Sequence, residues 1–155
     1  YSTEAWELGG VNGKSSVILK NDPNSISIYQ KFTSADDALG WQAVPGATAP
    51  QSFGYDSDRQ VLHVTGMVAG SGVQKSYTLS PNKTYSCFFA VRRRLPGSDG
   101  SYNINIQVID DIAGGSVGGL ASPDTPGANI PVNGHMMHGF FDFTVGGNTD
   151  YSIRF

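Results

Sequence analysis

Charge is scarce in this chain. Only 15% of its 155 residues are Asp, Glu, Lys or Arg, and the formal net charge is −3. Duplex phosphate takes a concentrated basic face, so this balance argues against nucleic acid as a partner. The one basic run, Arg92-Arg93-Arg94, is short, and strand alternation turns Arg93 away from its neighbours. Glutamate is nearly missing, with Glu4 and Glu7 standing alone. A glycosidase needs two opposed carboxylates, one of them with its pKa raised by burial. Asp110, Asp111 and Asp142 remain for such a role, and nothing around them in sequence suggests a catalytic pocket. There is no nucleophile motif, phosphate loop or zinc spacing, so the chain reads as a non-enzyme without a cofactor. Cysteine is reduced to Cys87, which excludes an intrachain disulfide. It falls among apolar positions, where a thiol behaves as a small hydrophobe. No apolar run approaches the ~20 residues of a membrane-spanning helix, so no membrane insertion is expected. Signal-peptide pattern, internal repeat and amphipathic helix are all missing. A start at Tyr1 without methionine is read as a processed product or a module of something longer.

What the chain has instead is glycine (20), proline (8) and 39% hydrophobic residues broken into short runs. Its centre, Gln60 to Asp110, reads as consecutive strands: Val61 to Thr65, Val73 to Leu79, Thr84 to Arg92, and Tyr102 to Val108. A turn, Ser80-Pro81-Asn82-Lys83, separates the second from the third. Further strands are expected at Ser15 to Lys20, Ser25 to Phe32, Trp41 to Val44, Phe140 to Val145 and Thr149 to Phe155. Ser34 caps one short helical turn to Leu39. Tyr55 falls in a loop, and Ala113 to Asn133 reads as a long irregular piece. Such an order predicts one all-β domain over residues 1–155, an antiparallel β-sandwich of jelly-roll type.

Side chains alternate along a strand, which sorts the centre into two sets. Leu62, Val64, Val73, Tyr77, Leu79, Tyr85, Cys87, Phe89, Val91, Tyr102, Ile104, Ile106 and Val108 form the apolar one. The other carries His63, Thr65, Gln74, Ser76, Thr78, Ser86, Arg92, Asn103, Asn105 and Gln107. Sugar recognition needs planar polar groups for vicinal hydroxyls and an aromatic face for the C–H side of the ring. The expectation is one open face centred on Asn103, Asn105, Gln107, Gln74 and Arg92, extended by His63, with Tyr55 or Phe88 as the aromatic. An outer sheet face of any soluble sandwich is also polar merely because it is wet; amides are a less usual choice for that task. Trp41 is expected in the core. His135, His138 and Asp142 invite a metal, but residues three apart on a strand face opposite ways, so no metal site is assigned. Asp36-Asp37, Asp56 with Asp58, and Asp110-Asp111 offer oxygens of the kind calcium takes, although acidic loop pairs are more often simply solvated.

Leu39-Gly40-Trp41, Val61-Leu62-His63-Val64 and Val73-Gln74-Lys75-Ser76 resemble, in order, the galactose-binding-like jelly rolls of carbohydrate-binding modules. The most specific stretch is Leu79-Ser80-Pro81-Asn82-Lys83-Thr84-Tyr85 followed by Phe88 to Arg92; Phe141 to Val145 and Tyr151 to Phe155 resemble their closing strands. The likeness covers Leu39 to Phe155. Similar domains sit in bacteriophage tail fibres and tailspikes. It implies a non-catalytic glycan-binding module, extracellular or on a virion surface, whose partner is a glycan or cell-surface polysaccharide. The rival expectation is a decoration or fibre domain whose exposed face packs on sister subunits as a homo-oligomer. The early segment with which that family holds a structural calcium is matched only loosely, by Glu7-Leu8-Gly9-Gly10.

Overall fold

The computed structural model describes residues 5–9, 16–19, 28–66, 68, 70–93, 102–103, 105–120, 129–130 and 137–155. In chain order the strands are β1 (Ala5–Gly9), β2 (Ser16–Leu19), β3 (Ile28–Tyr29), β4 (Trp41–Ala43), β5 (Ser52–Asp56), β6 (Val61–Thr65) and β7 (Val73–Thr78). They continue as β8 (Thr84–Arg93), β9 (Tyr102–Asn103), β10 (Ile106–Asp110), β11 (Ser116–Leu120), β12 (Asn129–Ile130), β13 (Met137–Thr144) and β14 (Asp150–Arg154). Among the described residues the helical content is one 3₁₀ turn, Ala35–Ala38, entered from Ser34. The Asp37 carboxylate accepts from the Thr33 and Ser34 backbone N–H groups at 2.7 and 3.1 Å, which satisfies donors left open at a helix start.

Two antiparallel sheets form an all-β sandwich. The first runs β3-β2-β8-β1-β6-β5, with β13 also on β8; the second runs β11-β10-β14-β7-β4. The chain crosses repeatedly, β4 to the second sheet, β5 and β6 to the first, β7 to the second, β8 to the first. β8 carries the first sheet, because β2 and β1 share one of its sides while β13 pairs along the other from Thr84 to Val91.

The expected apolar set lies inward wherever its side chains are described; those of Tyr102 and Ile104 are outside the described residues. Leu62, Val64, Val73, Leu79, Tyr85, Cys87, Phe89, Val91, Ile106 and Val108 are all buried in one core, with Tyr77 packed against it. Phe141 and Phe143 of β13 and Tyr151, Ile153 and Phe155 of the last stretch complete it. Ring contacts join the sheets: Phe89 meets Phe155 edge-on at 6.1 Å, and Phe155 meets Trp41 at 6.1 Å. Trp41 is buried as expected. Its Nε1 has no hydrogen-bond partner among the described residues, a cost set against the contacts its rings make with Phe32 and Phe155. The buried tyrosines are satisfied, since Tyr85 Oη accepts from Ser80 N at 2.8 Å and Tyr151 Oη from Gly146 N at 3.1 Å. The Ser80 to Lys83 turn is present, with Asn82 at φ 56°, a left-handed conformation that Asn tolerates better than most residues.

Three expectations are corrected. Tyr102 to Val108 is not one strand: β9 pairs with β12 as a separate ribbon, and β10 joins the second sheet. The stretch from Ala113 to Asn133 is not loop throughout. It contains β11 and β12, whose Ser-Val-Gly-Gly-Leu and Asn-Ile sequences lack strand patterning. Glycine is required in β11 because a Cβ on Gly118 would lie 2.6 Å from that of Phe143 in β13. Tyr55 lies in β5 rather than a loop, opposite Leu62, and packs against the core. Ser25 to Ser27, within one expected strand, lie outside the described residues.

Burial pushes the Cys87 thiol up to about 12. A disulfide reagent at pH 8 is therefore expected to label Cys87 only as fast as the chain unfolds; labelling of the native protein would contradict this packing. Phe89→Ala is expected to cost about 3–5 kcal/mol in urea unfolding, as large-to-small changes in tight cores do, whereas Ile112→Ala, at a position 66% exposed, shifts stability by no more than about 0.5 kcal/mol.

Candidate functional site

The residues expected to share one face are divided between two. His63 and Arg92 belong to β6 and β8 of the first sheet, and Phe88 with them; Gln74 and Gln107 belong to β7 and β10 of the second. Both sheets turn their apolar side chains to the same core, so the polar sides point in opposite directions. Alternation separates inside from outside, but it carries no information about which sheet a strand joins. Asn105 is exposed just before β10, Asn103 lies in the β9 ribbon with its side chain outside the described residues, and Tyr55 faces inward. The expected single surface is thus corrected to two.

On the outer face of the first sheet, β8 and β13 build a short ladder. Thr84 and Thr144 share a hydroxyl hydrogen bond of 2.9 Å, and Ser86 Oγ donates to Asp142 Oδ1 at 2.5 Å. The next pair is Phe88 and Phe140, whose rings stack with centroids 5.6 Å apart. Phe88 is 36% exposed and Phe140 63%. Beyond them come Ala90 opposite the exposed His138, then the half-buried Arg92. Register puts Arg92 and His63 in one row, with Glu7 of β1 between them. An aromatic pair in water, with a carboxylate on one side and an imidazole and guanidinium on the other, offers an apolar platform with acceptors and donors at its rim. His135, the other half of the histidine pair, lies outside the described residues.

On the outer face of the second sheet, register aligns Gln42 of β4, Gln74 of β7, Arg154 of β14 and Gln107 of β10 in one row. Arg154 Nε donates to Gln74 Oε1 at 2.6 Å, and the buried Gln74 sends Nε2 to Ser152 Oγ at 3.5 Å. In the row alongside, Ser76 and Ser152 hydroxyls lie 2.9 Å apart, and Ser152 donates to Asp111 Oδ2 at 2.8 Å. The neighbouring Asp110 positions Asp111 by closing its turn. Its carboxylate accepts from Ile112 N, Ala113 N and Asn148 Nδ2 at 2.9–3.1 Å. Those hydrogen bonds, the Ala113 N–H foremost, hold its pKa below the usual value.

Sequence reasoning missed Phe140, Arg154 and Gln42 as site residues. Phe140 was legible: in Phe-Phe-Asp-Phe, burying Phe141 and Phe143 forces Phe140 outward. Arg154 was legible in the same way from Tyr151 and Ile153. Neither pairing, Phe140 on Phe88 or Arg154 on Gln74, had any local signal, since each joins strands distant in the chain. The paired acidic residues serve local structure. Asp56 Oδ1 accepts from Asp58 N and Arg59 N, Asp37 caps the 3₁₀ turn, and Asp110 closes its loop. Comparison with protein-family models, with curated proteins and with solved structures finds nothing that matches this chain.

A carboxylate whose pKa is depressed on folding contributes stability above its unfolded value near pH 4, and that contribution is lost as pH falls through the folded value. Asp110→Asn is therefore expected to flatten the loss of stability below about pH 4 while lowering the urea midpoint at pH 7. A variant with the wild-type acid profile would show that the turn does not depend on the charge.

Proposed function

We propose that this chain is a non-catalytic carbohydrate-binding β-sandwich of jelly-roll type, related in kind to galactose-binding-like modules. In this reading it works outside a cell or on a virion surface, as part of a secreted or phage-borne protein, with a glycan or cell-surface polysaccharide as its partner. The observation that carries the proposal is the exposed, stacked Phe88–Phe140 pair on the first sheet. A pyranose lays its C–H face on such rings. Alternate residues on one strand face stand about 7 Å apart, so Asp142 and Ser86 lie one step to one side, with Ala90 and His138 one step to the other. Hydroxyls at the rim of a stacked sugar then find an acceptor and a donor. Of the residues expected from sequence, Phe88, Arg92 and His63 belong to this face, while Asn105, Gln74 and Gln107 stand apart from it. The repeated crossing of the chain between sheets supports the jelly-roll reading.

One rival has support from the same observation. An exposed aromatic pair also suits packing on a sister subunit, as in a fibre or decoration domain. A glycan array with the wild-type chain, followed by Phe140→Ala, separates the two. Loss of an exposed side chain is expected to move Tm by about 2 °C at most. Affinity for the best ligand of the array is expected to fall at least about tenfold, equivalent to about 1.4 kcal/mol. Undiminished binding in Phe140→Ala would overturn the site. Absence of any glycan ligand, together with a stable assembly in light scattering that Phe140→Ala dissolves, would establish the subunit-packing alternative.

A further inference from the structure

The opposite outer face holds a second arrangement that the aromatic platform does not use. Four adjacent strands, β4, β7, β14 and β10, contribute Gln42, Gln74, Arg154 and Gln107 to one straight row. The guanidinium at its centre is held in place. Its Nε is spent on Gln74 Oε1 at 2.6 Å, and Gln74, buried and bonded onward to Ser152, cannot swing away. That leaves the two Nη groups of Arg154 without a carboxylate partner among the described residues, where the ion pair seen is Arg59 with Asp56. Asp111, an acid bonded to the row alongside, takes the Ser152 and Ser76 hydroxyls. Gln42 and Gln107 are exposed at either end of the row.

We infer that this row binds a carboxylate-bearing sugar, a uronic acid residue of an acidic polysaccharide, with Arg154 on the carboxylate and Gln107 and Gln42 on neighbouring hydroxyls. A guanidinium fixed through Nε presents its Nη pair as a fork, which matches the two oxygens of a carboxylate. Strands lie about 4.8 Å apart, so Gln107, one strand from Arg154, meets hydroxyls of the same ring, and Gln42, two strands away on the other side, meets those of the adjoining sugar. An acidic sugar carries its carboxylate and its hydroxyls on one rigid ring, and so engages the guanidinium and Gln107 together. An acidic peptide also meets the fork, but it carries its carboxylate on a flexible side chain rather than on a ring that brings hydroxyls to Gln107 at the same time.

Titration calorimetry of the whole chain with hexagalacturonate, and with a neutral galactose hexamer as control, tests the assignment. Wild type is expected to bind the uronate oligomer, more weakly as salt rises. Arg154→Gln is expected to lose at least tenfold in affinity, and Gln107→Ala severalfold. Arg59→Ala, which removes an equal charge from the exposed turn between β5 and β6 of the first sheet, is expected to match wild type; the aromatic platform is read by the glycan array alone, so failure here is distinct from failure there. Should Arg154→Gln fold poorly, Gln107→Ala and Gln42→Ala alter exposed side chains only and carry the test. No binding of hexagalacturonate, equal binding of the neutral hexamer, or unchanged affinity in Gln107→Ala and Gln42→Ala would overturn the inference. So would equal affinity for a poly-glutamate peptide, which would mark the row as a general anion contact.

Discussion

The rest of the molecule depends on β8 filling both of its sides and one of its faces. Its inward residues Tyr85, Cys87, Phe89 and Val91 are almost wholly buried, and its backbone is paired with β13 on one side and with β2 and β1 on the other. Phe89 is the pivot. It touches Phe141 in its own sheet and Phe155 from the facing one, and Gly139 opposite it must lack a side chain, since a Cβ there would come within 2.5 Å of the Phe89 ring. Holding these rings inward also determines what β8 and β13 show to water, because a strand cannot bury Phe89 and Phe141 without turning Phe88 and Phe140 outward. The exposed aromatic platform is a geometric consequence of the core.

How much of this was legible in the sequence follows from the range of the interactions. Alternation is local, and it sorted Leu62, Val64, Cys87, Phe89, Ile106 and Val108 correctly to the interior. Turn chemistry is local too, and Ser80 to Lys83 turns where Pro and Asn suggest. Sheet membership is not local. Gln74 and Arg92 have the same signature in sequence, yet one belongs to a strand beside β14 and the other to a strand beside β1. The split of the expected binding face follows from that. β11 was missed for a different reason: Gly118 answers to the close approach of Phe143, and Gly119 to that of the Ile106 carbonyl at a φ of 145°, and such demands come from a neighbour elsewhere in the chain.

The two outer faces differ in chemistry. The first sheet exposes a ring pair with single polar groups at its rim; the second exposes Gln42 and Gln107 in one row with a guanidinium braced by the buried Gln74. A guanidinium held by a buried amide has already lost much of its side-chain entropy on folding.

The position of β14 has a consequence for how the molecule is made. It lies in the middle of the second sheet, between β7 and β10, although it follows both in the chain. Until it is synthesised and inserted, β7 and β10 each present a bare interior edge, with Tyr77 lacking its neighbour Tyr151 and Val108 its neighbour Ile153. A nascent chain on the ribosome is therefore sticky until late, and a product shortened before Asp150 is a substrate for proteolysis and aggregation rather than a smaller working domain.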